Sequence, residues 1–219
     1  MKIRTVDVWM MLLCFVVLTI CEVGRAASGE WSAFGKLPHL HPDSATRDFT
    51  APNELVSVRV STEGFQLVSR GEIVALKEVS GLPSLSEILW NPNSRAVAIT
   101  TSDGGLVGTW QVYVYLPGDS AHPTYRDVKS LVGPLAVGLP KCETNEVPNI
   151  GAVNWSKNGG ELMIVAEVPP HSSCRNMGAI EGFRISVKDW RVIARVPEGV
   201  LRKKWRSDLG NRLVKQPAD

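Results

Sequence analysis

The chain has no marked excess of charge of either sign: 24 Lys and Arg stand against 22 Asp and Glu, a net +2. That balance argues against a dedicated nucleic-acid binder, whose affinity needs clustered phosphate contacts. The short signatures of common active sites are also missing. Neither Gly-x-Ser-x-Gly nor His-Glu-x-x-His occurs. Asp103-Gly104-Gly105-Leu106-Val107-Gly108 is glycine-rich, but it lacks the Lys-Ser/Thr of a phosphate loop and no helical pattern follows it. It reads as a strand-to-strand turn. Beyond residue 26 no apolar stretch is long enough to cross a bilayer, and only two cysteines remain, Cys142 and Cys174.

What is present begins with a targeting pattern. Lys2 and Arg4 precede an apolar run from Val8 to Ile20, and Gly24-Arg25-Ala26 places small residues where a signal peptidase reads them. This order predicts a secretory signal at 1–26 and a periplasmic or secreted mature chain. As a helix the run would span roughly 20 Å, short of the ~30 Å hydrocarbon core. An uncleaved anchor, and lipidation at Cys21, are the alternatives. Loss of Lys2, Arg4 and Arg25 against Asp7 and Glu22 leaves the mature chain at +1, and 193 of the 219 residues remain, enough for a sizeable core.

Cys14 and Cys21 leave with the signal. Cys142 and Cys174 are then an even pair in an exported chain, which predicts a disulfide. Their midpoint is Asn158, the centre of a predicted hairpin turn, so the pair falls near the open end of that hairpin. Closing the loop contributes roughly 3–4 kcal/mol on the chain-entropy account.

One hairpin pattern is written twice. The first copy runs Leu89-Trp90-Asn91-Pro92-Asn93-Ser94-Arg95-Ala96-Val97-Ala98-Ile99, and the second runs Asn154-Trp155-Ser156-Lys157-Asn158-Gly159-Gly160-Glu161-Leu162-Met163-Ile164. In each, a Trp ends a strand, a turn follows, and an apolar strand begins. Trp90, Asn93, Trp155, Asn158 and Gly159 are its structural residues. Asn158-Gly159 is a strong turn signal because both residues tolerate positive φ. Repetition of such a unit marks a repeat architecture.

These residues, continued by Thr100 to Gly105 and by Gln111-Val112-Tyr113-Val114, resemble a TolB-type β-propeller repeat. The second copy follows the pattern with Lys157 at the Pro position and Asn158 at the Asp position. The resemblance covers about residues 85–116 and 148–196. It implies four-stranded antiparallel blades and a binding platform rather than an active site. The tryptophans are 65 residues apart, so 118–147 reads as an insertion. With two clear units and a degenerate third at 55–76, the chain falls short of the about four blades a closed propeller needs. The expected fold is therefore all-β, with propeller-like sheets that do not close within one chain. Other segments must cap the sheets, the sheets must pack as a sandwich, or other chains, as in a homo-oligomer, must complete the ring.

The remaining segments are an extended lead-in at 27–54, the β domain at 55–200 and a basic C-terminal segment at 201–219. Leu201, Trp205, Leu209 and Leu213 recur every four residues among basic residues, which predicts an amphipathic helix weakened by Gly210. His39, His41 and Asp43 are the one weak metal candidate, with a spacing similar to metallo-β-lactamase-type hydrolases. Ser44 stands where that pattern has another His, and zinc needs at least three ligands. Asn154-Trp155-Ser156 is formally a glycosylation sequon whose Trp is read as buried. The expected function is non-enzymatic: a cofactor-free binding or scaffold protein of the cell envelope, with a protein partner met by the connections at 102–109, 118–147 and 169–180. The alternatives are an inhibitor or immunity-type protein and a metal-dependent hydrolase.

Overall fold

A computed structural model describes residues 29–40, 46–105, 109–118, 122–143 and 146–214. The predicted signal, with Cys14 and Cys21, lies outside them. No helix among the described residues is long and apolar enough to cross a membrane.

Among the described residues twelve strands form three four-stranded antiparallel sheets, each a simple meander. The first contains β1 (Thr46–Thr50), β2 (Val56–Ser61), β3 (Gly64–Ser69) and β4 (Glu72–Ala75). The second contains β5 (Ser86–Trp90), β6 (Val97–Ser102), β7 (Trp110–Leu116) and β8 (Thr124–Asp127). The third contains β9 (Asn149–Trp155), β10 (Glu161–Glu167), β11 (Ile180–Ser186) and β12 (Arg191–Pro197). Among the described residues three α-helices, α1 (Val128–Ala136), α2 (Glu198–Lys204) and α3 (Asn211–Val214), accompany the sheets, with a 3-10 turn at Pro83–Leu85. The expected all-β class, with propeller-like sheets and a short C-terminal helix, is what the chain adopts.

The sheets stack face to face, and the side-chain pattern of each strand records its place in the stack. In β2, Val56, Val58 and Val60 are buried and alternate with half-buried Ser57, Arg59 and Ser61, as expected where only one face meets a core. Every residue of β6 is buried, because the second sheet is covered on both sides. One face packs Ile88, Val97, Ile99 and Tyr115 against Phe49, Val58 and Leu67 of the first sheet. The other packs Leu89, Ala98 and Val114 against Ile150, Ala152 and Ile164 of the third, with Val128 and Val132 of α1. A third core seals the far face of the third sheet with Trp31, Leu201, Trp205, Leu209 and Leu213. Trp31 lies so close over Gly151 that any β-carbon there would overlap its indole.

A strand–turn–strand arrangement of the same geometry occurs once in each of the three sheets. The third is Phe49-Thr50-Ala51-Pro52-Asn53-Glu54, so the segment read as an extended lead-in at 27–54 holds both β1 and a turn of the same kind. In each turn an Asn side-chain oxygen accepts the amide two residues on: Asn53 from Leu55 and Asn93 from Arg95 at 3.1 Å, and Asn158 from Gly160 at 3.0 Å. The intervening residue is left-handed in all three, with φ of 60° at Glu54, 62° at Ser94 and 69° at Gly159. Only Gly159 adopts this freely; a side chain there costs about 1–2 kcal/mol.

The turns also bond to one another. The Trp90 indole N–H donates to the carbonyl of Phe49 at 2.8 Å, and that of Trp155 donates to the carbonyl of Leu89 at 3.1 Å. Phe49 and Leu89 are equivalent in their repeats, so each tryptophan ties its sheet to the same point of the preceding one. The Asn53 amide donates to Ser94 Oγ at 2.9 Å, and the Asn91 side-chain amide donates to the Gly159 carbonyl at 2.8 Å.

Two segments differ in detail from the sequence reading. The insertion at 118–147 holds both a strand and a helix, β8 and α1, with Asp127 capping α1 by accepting the Lys129 amide. The C-terminal segment breaks into α2 and α3 around Gly210. There the backbone packs directly on Glu30, and the Gly210 amide donates to the Trp31 carbonyl at 2.8 Å. The four-residue apolar period still reports burial, since all four of its residues are in the third core.

Trp155→Phe keeps an aromatic ring but removes the indole N–H bond to the Leu89 carbonyl, which retains its ladder bond within the second sheet. We predict a loss of about 1–2 kcal/mol, read as a lowered urea midpoint at unchanged slope.

Candidate functional site

The three repeats converge on one groove of about 400 Å³. Thr50, Trp90 and Trp155, which are equivalent in the three copies, line it, as do the equivalent Pro52, Pro92 and Lys157. The remaining wall comes from the N-terminal segment, through Phe34 and Lys36. Phe34 is 56% exposed, Trp90 is half-buried and Trp155 is buried. Both indole N–H groups are committed to carbonyls of the preceding sheet, so the tryptophans offer the groove carbon surface alone. Its cations are Lys36 and Lys157, and no Asp or Glu lines it.

The N-terminal wall is held by an unusual buried carboxylate. Lys36 and Ile88 exchange backbone hydrogen bonds at 3.0 Å along the free edge of β5. Next to Ile88, Glu87 is 1% exposed. Its carboxylate accepts the amides of Trp31 at 2.9 Å and Ser32 at 2.8 Å. Burial pushes the Glu87 carboxyl up to about 7, while the amides of Trp31, Ser32 and Glu30 oppose the shift. A second buried carboxylate, Glu167, joins the same segment to the C-terminus. It accepts from Arg212 Nε at 2.6 Å, and the Arg212 guanidinium lies 5.3 Å from the Trp31 ring centroid and 5.6 Å from that of Trp110.

A larger cavity of about 740 Å³ lies between the turns of the first two sheets. Leu67, Val74 and Leu116 form its floor, and its rim carries Arg70 and Arg95 beside Glu72. Its charges are mixed and the third sheet contributes nothing to it. The groove is the better candidate because all three repeats build it.

Cys142 and Cys174 are joined as a disulfide, seven residues beyond the paired ends Asn149 and Glu167 of the β9–β10 hairpin. The Glu146 carboxylate accepts both the amide and the hydroxyl of Ser173 at 2.8 Å beside it. Among the described residues, the one cluster with metal-ligand spacing is Cys142, Glu146 and Cys174, and its sulfurs are bonded to each other. His39 is exposed in a left-handed loop conformation, φ 42°. His41 and Asp43 lie outside the described residues. Trp90, Asn93, Trp155, Asn158 and Gly159 are all in the repeat turns, and two of them, Trp90 and Trp155, line the groove. Sequence reasoning missed Phe34, Lys36 and Glu87, which belong to no repeat. The third turn carried a legible signal in Pro52-Asn53, the same pair as Pro92-Asn93. No protein-family model matches the chain, and no curated protein matches it.

The Glu87 carboxyl is raised in the folded chain relative to the usual 4.5. Its stabilising contribution is therefore full below that value and lost as pH rises through about 7. We predict that thermal stability falls between mildly acid and neutral pH. Glu87→Gln should be less stable in acid, where an amide N–H replaces one acceptor, but should lose that slope by on the order of 3 kcal/mol. Melting curves of both chains across this pH range check it.

Proposed function

We propose that this chain is an exported, non-enzymatic binding or scaffold protein of the cell envelope. The observation that carries the reading is the convergence of three repeat turns on one groove whose tryptophans are already saturated as hydrogen-bond donors. Such a groove supplies apolar and cationic contact surface on a rigid frame, which is the equipment of recognition. The basic, apolar, small-residue order of residues 1–26 supports export, and the Cys142–Cys174 pair suits an oxidising compartment. The likeness of the turns to TolB-type repeats supports a platform role.

One observation favours the inhibitor or immunity-type version. The loops tied by the disulfide expose large apolar side chains, with Val137 74%, Val147 53% and Met177 47% accessible. A disulfide-braced loop with apolar tips is suited to enter a partner's cleft.

Mild crosslinking of the tagged mature chain in its native envelope, followed by affinity capture and mass spectrometry, tests the reading. It predicts one protein recovered in stoichiometric amount. A clean preparation with no partner would contradict it.

A further inference from the structure

We infer that the groove between the repeat turns is a peptide site, taking a short extended segment of a partner protein in which a large apolar side chain is flanked by carboxylates. This rests on the binding-protein reading and names the chemistry of its partner.

Charge complementarity is the first argument. Lys36 and Lys157 flank the groove, both exposed, and no carboxylate lines it. The salt bridges formed by the described residues are all made by arginines, which leaves these amines available to a ligand. Lys157 also breaks the repeat, because the equivalent positions are Pro52 and Pro92. A departure from the repeat that adds a cation to the shared groove is not explained by the turn itself, since Pro serves the turn in the other two copies.

The second argument is the kind of apolar surface. Phe34 stands more than half exposed at the wall, beside Trp90 and Pro92. Covering such a surface releases its water. Saccharide hydroxyls would need a dense set of polar partners. The groove offers few beyond its lysines: Thr50 and Asn154, and Asn154 Oδ1 already accepts the Trp155 amide at 2.8 Å. An apolar side chain between carboxylates fits both features.

The third argument is preorganisation. Phe34 and Lys36 sit on backbone held on one side by the Glu87 carboxylate and on the other by the Lys36–Ile88 pair. Binding then costs little ordering of the wall, which favours a ligand that is itself short.

The test uses fluorescein-labelled pentapeptides with one central phenylalanine flanked by four glutamates, four serines or four lysines. Each is titrated into the full mature chain by anisotropy, with cellohexaose as a competitor. The glutamate peptide should bind saturably at millimolar or lower concentration. It should bind about tenfold more tightly than the serine peptide and weaken as salt is raised. Combined Lys36→Glu and Lys157→Glu should weaken it at least about fivefold, and Phe34→Ala should weaken all three peptides. If the charge-reversed chain fails to fold by circular dichroism, Lys36→Gln with Lys157→Gln takes its place. Equal binding of the three peptides, no binding of any, or displacement by cellohexaose would overturn the assignment. A partner captured equally by wild-type and charge-reversed chains would also overturn it while leaving the binding-protein reading intact. Failure to capture any partner would instead count against that broader reading, and the peptide titration would still decide the groove.

Discussion

The architecture depends on one hydrogen bond made twice: an indole N–H of one repeat donating to the main-chain carbonyl that ends the first strand of the repeat before it. Stacked sheets can slide against each other, because apolar faces attract without fixing a register. A buried donor aimed at one carbonyl removes that freedom, since any slip would leave the indole N–H away from water without an acceptor. Trp90 on Phe49 and Trp155 on Leu89 thereby set the three sheets at the same relative position. The groove between the turns follows from that placement, since its walls are the same residues seen from the solvent side.

A stack of sheets that does not close must end somewhere, and the two ends are treated differently. The third sheet is covered by Trp31 from the N-terminal segment and by α2 and α3. These segments are bound to each other through the amides of Gly210, Asn211 and Arg212, and the Glu167 carboxylate of β10 holds the Arg212 side chain. The outer face of the first sheet is instead largely polar apart from Val68 and Ile73, with Asp48 and Arg59 paired across β1 and β2 at 2.8 Å. Capping on one side and polarity on the other answer the exposure problem that an incomplete ring of sheets poses. The same N-terminal segment that caps the stack also walls the groove, so stability and recognition share the Glu87 anchor.

Much of this was legible in the sequence and the rest was hidden for definable reasons. The two hairpin copies at Leu89–Ile99 and Asn154–Ile164 fall on β5–β6 and β9–β10, and one-sided burial writes itself as period two in strands such as β2. Cys142 and Cys174 were placed by symmetry about Asn158, and the structure joins them. The third unit reads only as a degenerate one at 55–76, without its first strand and turn, because Thr50 replaces its Trp while Pro52-Asn53 keep the turn. β8 and α1 lie in the stretch that reads only as an insertion, 118–147, where Pro134 lies inside the helix although proline usually ends one. Glu87 gave no signal at all. Within an apolar strand, a lone Glu looks like a solvent-facing residue until a distant backbone segment is seen donating to it. Phe34 and Lys36 reach the groove through tertiary placement that no local pattern encodes.

The most direct test of the account is the hydrogen-exchange rate of the individual tryptophan indoles, followed by nuclear magnetic resonance. The Trp90 and Trp155 Nε1–H groups should both be strongly protected, because each is held against a carbonyl of the neighbouring sheet. If either exchanges as fast as a free indole in native conditions, the sheets are not tied through their tryptophans, and the groove built on that tie loses its basis.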